Sequence, residues 1–348
     1  VKHILVIRFS ALGDVAISIP VIKAFLEQNP GVKLVVLTKK NCARLYSLLP
    51  DVEVIAPDFK TEYQGFPGLF RLYKKICNEY QIDSVIDIHN VLRTNVLSLF
   101  FQLSGVPVFR INKGQWAKNR LIRCKKKFFK PLKTSSQRYA EVFVKAGFNL
   151  NLEKLPKAFQ FPLNEDVNSI LSQARYTKIG IAPFAFYPEK AYPKDKMNQV
   201  ISMLSQTNNF DVFLFGGGKA EKQIADELEQ KYANVHSVIG KLSMNQELAL
   251  INQMSVMLTM DSSNLHLAAL TQTPILSVWG ATHPYAGFTA FNHTNDSDQI
   301  QVPVNELPCR PCSVFGNKKC MRNDWACMNR ISPETIVNKI VEKTKQNS

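Results

Sequence analysis

The sequence predicts an α/β protein of two doubly wound lobes, each a parallel sheet covered by helices. Three observations carry this. Short runs rich in Val, Ile and Leu alternate with helix-length segments along nearly the whole chain. The alternation breaks once, at about residues 148–177, where Asn149, Asn151, Pro156, Pro162 and Asn164 interrupt it. At 348 residues the chain is too long for one ordinary core. The lobes are expected at residues 1–155 and 156–348, and ligands in a cleft between them, beyond the carboxyl ends of the strands.

In the first lobe His3–Phe9, Lys33–Thr38, Val52–Ala56, Ser84–His89 and Val106–Ile111 read as strands. Val15–Gln28, Asn41–Leu49, Gly68–Tyr80, Val91–Ser104 and Ser136–Ala146 read as helices. A continuous apolar strand such as Ile4-Leu5-Val6-Ile7 fits a sheet buried on both faces. In the second lobe the strands are Lys178–Pro183, Asp211–Phe215, Val235–Ile239, Val256–Met260 and Pro274–Trp279. Lys194–Gln206, Ala220–Lys231, Asn245–Gln253 and Ser263–Thr271 are the helices between them. A last helix, Pro333–Lys345, has Ser332 as its cap and Pro333 in its first turn.

Charge is unevenly distributed. Residues 1–150 hold 24 Lys/Arg against 10 Asp/Glu, while residues 151–348 hold 19 against 18. The densest stretch, Arg110 to Arg138, has eleven basic residues and no acid. Such asymmetry points to an anionic partner for the first lobe. No apolar run approaches the ~18 residues of a membrane-spanning helix. The N-terminal segment reads as a strand rather than a signal peptide, so a cytoplasmic location is expected.

Four segments are placed to carry chemistry. Arg8-Phe9-Ser10-Ala11-Leu12-Gly13-Asp14 leaves the first strand and opens the first helix. Asp14 is there either a capping carboxylate or a general base. The single glycine is no dinucleotide fingerprint. Asp261-Ser262-Ser263-Asn264-Leu265-His266 opens a helix directly after a strand, a setting that offers N–H groups to a diphosphate; a simple cap with a buried His266 is the alternative. Lys190, in the loop after the first strand of the second lobe, is either a phosphate-binding cation or a solvated lysine. Gly216-Gly217-Gly218 lets the backbone approach a nucleotide, and Glu221 is placed to accept from ribose hydroxyls.

The order of these segments, with Lys190-Ala191-Tyr192-Pro193 and Trp279-Gly280-Ala281-Thr282-His283-Pro284, resembles glycosyltransferase family 9, the ADP-heptose:lipopolysaccharide heptosyltransferases. The resemblance runs from Ile4 to about Val341. It implies a GT-B fold of two Rossmann-like lobes and inverting transfer from a nucleotide-diphospho-sugar, ADP-heptose first, to a lipopolysaccharide inner-core or related glycolipid. It makes Asp14 the catalytic residue. Lys190, Gly216, Gly217, Glu221, Asp261, Ser262, Ser263, Asn264 and His266 become donor contacts. Acceptor contacts are expected from Ser10, Gly13, Arg93, Lys113, Arg120 and Arg138. No cofactor is implied, and no D-x-D metal motif stands at an equivalent place. Ser263 replaces the family's usual glycine, which costs strain if that backbone needs a positive φ. Tyr192 replaces its usual tryptophan.

Two features remain. The basic stretch is either a solvated face or a contact with an anionic glycolipid at the inner face of the inner membrane, with Trp116, Phe128 and Phe129 dipping into the interface. A nucleic-acid partner is disfavoured by the nearly neutral second lobe and the lack of an RNA-binding motif. The other readings kept open are the same fold with another nucleotide sugar and a non-catalytic basic binding protein. Cys309, Cys312, Cys320 and Cys327 are spaced for a zinc site or pack as reduced thiols.

Overall fold

A computed structural model of the chain describes residues 2–123, 129–154, 156–293 and 295–346. Its strands form two parallel sheets. The chain divides into two compact units, residues 1–113 with 133–157, and residues 114–132 with 158–348. The basic segment 114–132 therefore clusters with the second unit, although the sequence places it within the first lobe.

The first unit contains β1 (Lys2–Ile7), α1 (Leu12–Gln28), β2 (Val32–Leu37), α2 (Lys40–Ala43), β3 (Val52–Ile55), α3 (Gly65–Glu79), β4 (Ser84–Asp87), α4 (Leu92–Leu103) and β5 (Val108–Arg110). Its sheet has the order β3-β2-β1-β4-β5. The first strand runs in register with both neighbours, Ile7 opposite Leu37 on one side and Asp87 on the other. Leu5, Ile7, Val35, Leu37 and Val85 pack with Leu72, Ile76, Leu97 and Phe101 of α3 and α4. The helix expected at 41–49 is α2 followed by a 3₁₀ turn over Arg44–Leu48. A further helix, α5 (Gln115–Leu121), lies in the basic segment, and α6 (Ser135–Lys145) returns to the first unit under the cap of Thr134.

The second unit continues with α7 (Glu165–Leu171), β6 (Thr177–Ala182), α8 (Lys194–Gln206), β7 (Phe210–Leu214), α9 (Lys219–Lys231), β8 (Val235–Ser237), α10 (Met244–Ile251) and β9 (Val256–Met260). It ends with α11 (Ser263–Ala268), β10 (Ile275–Trp279), β11 (Gln299–Gln301), α12 (Ala326–Asn329) and α13 (Pro333–Lys345). The sheet order is β11-β10-β9-β6-β7-β8. The expected cap is present: Ser332 Oγ accepts from the Thr335 N–H at 3.2 Å. Ile336 and Ile340 of that helix are buried against Ile179, Val200 and Leu258. Among the described residues no helix is long and apolar enough to cross a membrane.

In both sheets the strand order reverses beside the first strand of the unit. That switch places the loops after β1 and β4, and after β6 and β9, next to one another. These loops carry the residues singled out in the sequence.

Candidate active site

In the first unit the turn after β1 brings Arg8 and Asp14 together. Asp14 occupies the first turn of α1, and its Oδ2 accepts from the Ala11 N–H at 3.3 Å, the back-bond of a helix cap. The same oxygen pairs with Arg8 Nη2. Arg8 is 6% exposed, donates from Nη1 to the Ile88 carbonyl at 2.8 Å and lies 5.6 Å from the Tyr139 ring. Burial pulls the Arg8 pKa down, but the Tyr139 phenol and the Asp14 carboxylate outweigh it and the net shift is upward. Asp14 is thus both a cap and one half of an ion pair, with its carboxylate about one third exposed.

The adjacent loop adds His89. Asp87 Oδ1 accepts from the N–H groups of His89 at 2.9 Å and Asn90 at 2.7 Å, fixing the turn after β4. The His89 Nδ1 accepts from the Phe9 N–H at 3.4 Å, which leaves the imidazole proton on Nε2. Burial, then the charges of Arg8 and Lys113, hold the His89 pKa down to about 3, so the ring is neutral. Lys113 is itself pulled down by burial and by Arg8. Arg8, Asp14, His89 and Lys113 therefore form one electrostatic cluster at the carboxyl end of the sheet, with Lys39 from the end of β2 felt there too.

The expected acceptor residues separate. Ser10 and Gly13 belong to the Arg8–Asp14 turn, and Lys113 belongs to the cluster. Arg138 is 9% exposed and donates to the Asn112 carbonyl at 3.1 Å, next to Lys113. Arg93 is exposed and lies 4.7 Å over the Phe59 ring. Arg120 is in the segment that clusters with the second unit, 4.7 Å over the Trp116 ring.

Other parts of the basic stretch also turn inward, against the expectation of a face wholly given to solvent or partner. Lys118 is 5% exposed, with its ammonium 4.2 Å from the Phe288 ring centroid. Lys133 pairs with Glu141 but stays 64% exposed. Phe129 stacks on His283 and Tyr285 at 4.9 and 4.8 Å, so that ring is occupied by protein rather than dipping into an interface. Trp116 remains 72% exposed. Lys125, Lys126, Lys127 and Phe128 lie outside the described residues.

In the second unit Lys190 closes a 3₁₀ turn, Pro188–Lys190, and its Nζ lies 2.9 Å from Asp261 Oδ2. The solvated-lysine reading fails: Lys190 and Asp261 side chains are 16% and 5% exposed. Asp261 Oδ2 also accepts from Thr282 Oγ1 at 2.7 Å. Ser262 is the N-cap residue of α11, but its N–H donates to the Met260 carbonyl at 2.8 Å and is not available to a ligand as the sequence suggested. Its hydroxyl, by contrast, is buried without a hydrogen-bond partner among the described residues. Ser263, Asn264 and His266 are helical, and Ser263 is not among the positive-φ residues, so the expected strain is absent. The helix sets Ser263 in a conformation any residue adopts, and no glycine is needed.

The Gly-rich turn is held by Glu221, whose Oε2 accepts from the Gly217 N–H at 2.8 Å. A Cβ at Gly216 would stand 2.7 Å from that oxygen and 2.8 Å from the Phe184 ring, so a side chain there would have to displace both. Beside Glu221 lies a hollow of about 500 Å³ lined largely by apolar side chains, among them Phe184, Tyr192, Met197, Ile224, Trp325 and Met328. Among the described residues no group of three His, Cys, Asp or Glu side chains is placed to hold a metal ion, and no disulfide joins the described cysteines.

Four residues at these clusters have no role legible in the local sequence. Arg8 opens the Arg8–Asp14 segment and His89 ends the expected strand Ser84–His89, but nothing local marks them as neighbours. Lys39 reaches its cluster only through strand order, and Thr282, although inside the Trp279–Pro284 segment, had no partner assigned to it. For Lys39 the one signal was position, just beyond the carboxyl end of a strand.

The family model of glycosyltransferase family 9 (heptosyltransferase) matches residues 69–319. The lipopolysaccharide core heptosyltransferase OpsX of Haemophilus influenzae is 23% identical over 324 residues, covering 88% of this chain and 89% of that protein. Among solved structures, the glycosyl transferase family 9 protein of Veillonella parvula superposes with a TM-score of 0.75 at 16% identity, over 99% of this chain and 98% of that one. The E. coli heptosyltransferase WaaC with ADP-2-deoxy-2-fluoro heptose gives 0.65 at 15% identity, over 98% and 99%. The fold is accordingly GT-B, with two Rossmann-like lobes. Since the model spans well over half of the sequence, the chain belongs to glycosyltransferase family 9, the heptosyltransferase family.

Proposed function

We propose that this enzyme transfers heptose from ADP-heptose, with inversion, to a lipopolysaccharide inner-core sugar or a related anionic glycolipid. The observation that carries the donor half is the Lys190–Asp261–Thr282 constellation beside the unpartnered, buried hydroxyl of Ser262. A buried hydroxyl without a partner is costly, and a phosphate oxygen would satisfy it. Lys190 supplies positive charge where the departing diphosphate gains negative charge, which favours the transition state over the ground state. Ser263, Asn264 and His266 are assigned to the same phosphates, and Gly216, Gly217 and Glu221 to the nucleoside. The apolar hollow beside Glu221 suits the base.

On the acceptor side, Asp14 takes the proton of the attacking hydroxyl as that oxygen bonds to the anomeric carbon and the carbon–diphosphate bond breaks. Arg8 keeps the carboxylate oriented. Ser10, Gly13, Arg93, Lys113, Arg120 and Arg138 are assigned to the acceptor, and an acceptor rich in phosphate or carboxylate suits the cations around Asp14. The E. coli relative solved with an ADP-heptose analogue supports the choice of donor. Work on a glycolipid at the inner face of the inner membrane fits the basic first half of the chain.

Calorimetry with ADP, UDP and GDP tests the donor. ADP is expected to bind at least about tenfold more tightly than the other two, a difference of about 1.4 kcal/mol. Tighter binding of UDP or GDP would replace ADP-heptose by another donor, and binding of none would remove the transferase reading.

A further inference from the structure

The segment between β11 and α12 is fastened around Lys190, and two of its residues do the fastening. Arg310 is fully buried. Its Nε donates to the Gly280 carbonyl at 2.6 Å, and its Nη2 reaches the carbonyls of Trp279 and Thr282, both at 3.1 Å. Nη1 donates to the Val302 carbonyl, and Nη2 also reaches Gln301 Oε1 at 3.1 Å. One planar fork thus pins the last carbonyl of β10 and two carbonyls of the loop that follows it, and ties that loop to the end of β11. Thr282, whose hydroxyl clamps Asp261, stands on this loop.

The chain then turns back toward Lys190. The N–H groups of Cys312 and Ser313 both donate to the Ala281 carbonyl, at 3.0 and 3.2 Å. The Ala281 N–H donates in turn to the carbonyl of Glu189, the residue before Lys190, at 3.3 Å. Ser313 Oγ accepts from the Gly316 N–H at 2.9 Å. Gly316 has φ +79° and lies against the Lys190 stem so closely that a Cβ there would overlap its Cγ and Cδ.

Taken with Lys190 as the cation for the donor diphosphate, a reading on which this inference rests, we infer that Arg310 and Gly316 are positioning residues of the donor site. Arg310 fixes the loop that sets Thr282 and, through it, Asp261. Gly316 provides the slot along which the Lys190 stem runs. A lysine stem is flexible and its ammonium is a point charge, so the backbone beside it decides where the charge stands. Displacement of such a group by about 1 Å costs a large part of its effect. Arginine is needed at position 310 because a lysine has a single nitrogen and cannot span the same set of carbonyls.

Arg310→Lys and Gly316→Ala test this, with Lys190→Ala as reference. Calorimetry with ADP and with adenosine separates contacts to phosphate from contacts to nucleoside, and thermal unfolding reports on the fold. Both variants are expected to lose about tenfold or more in ADP affinity, the scale of one hydrogen bond to a charged group. Adenosine binding should change by less than about twofold, since no phosphate is involved. Ser313→Ala, which removes the acceptor of the Gly316 N–H without backbone strain, should give a smaller loss in the same direction and serves if Gly316→Ala does not fold. Equal losses for ADP and adenosine would overturn the inference in favour of a general structural role. If Lys190→Ala weakens ADP binding and the other variants do not, the inference falls while the reading of Lys190 stands. If Lys190→Ala binds ADP as the parent does, it is the reading of Lys190 that falls.

Discussion

Asp14→Asn isolates the proposed proton-accepting role from the structural ones, because the amide keeps the shape and changes the charge. The capping contact survives: the Asn oxygen still accepts from the Ala11 N–H, which now lies 3.3 Å from Oδ2. The ion pair with Arg8 is lost. Arg8 is 6% exposed, but it retains the Ile88 carbonyl at 2.8 Å and the Tyr139 ring. Breaking a fully buried pair costs about 3–5 kcal/mol. Here the carboxylate is about one third exposed, so a stability loss of about 1–2 kcal/mol is expected instead. Turnover should fall at least about 100-fold, or roughly 2.7 kcal/mol of barrier. ADP affinity should stay within about twofold, since the donor contacts are assigned to other residues. Urea unfolding, calorimetry with ADP and the rate of ADP release in the presence of acceptor give the three readings. Turnover near that of the parent, with the stability loss present, would show that Asp14 is only a cap and an arginine partner.

Two further outcomes follow from charge. Lys125, Lys126 and Lys127 replaced together by Gln should weaken binding to anionic vesicles by about 100-fold at low salt, at roughly 1 kcal/mol per lysine, and should flatten its salt dependence. Unchanged vesicle binding would make the run a solvated face; ADP affinity is measured alongside, because residues 114–132 cluster with the second unit. His89, held down to about 3 in the fold, takes up its proton on unfolding near 6.5. Its contribution to stability is complete above 6.5 and is lost as pH falls toward 3. Between pH 7 and pH 5 the parent should lose about 2 kcal/mol more than His89→Gln in urea unfolding, and equal losses would mean that His89 is protonated in the folded state.

Ten of the eleven described strands were legible because each is a short apolar run bounded by breakers, and a parallel sheet covered on both faces needs such runs; the edge strand β11, Gln-Ile-Gln, is no such run and was not expected. Their limits shifted by a residue or two, and β5 shrank to Val108–Arg110. The site was legible in part. Asp14, Lys190, Glu221 and Asp261 stand in segments whose order along the chain carries the family. The partners were not legible, because Arg8 and Ile88, Lys190 and Asp261, or Arg310 and Gly280 are far apart in sequence. Nothing in the local pattern says that Gly316 borders a lysine stem.

The sequence by itself determined the fold class, the family and the type of group at each strand end, since these depend on periodicity and on residue identity at fixed places. The tertiary structure decided which of those groups meet. It paired Asp14 with Arg8, set His89 neutral among cations, buried Lys118 under Phe288 and carried residues 114–132 to the second unit. The physical reason is that burial and Coulomb interactions depend on distance through space, and in a parallel sheet that distance is set by strand order rather than by position along the chain.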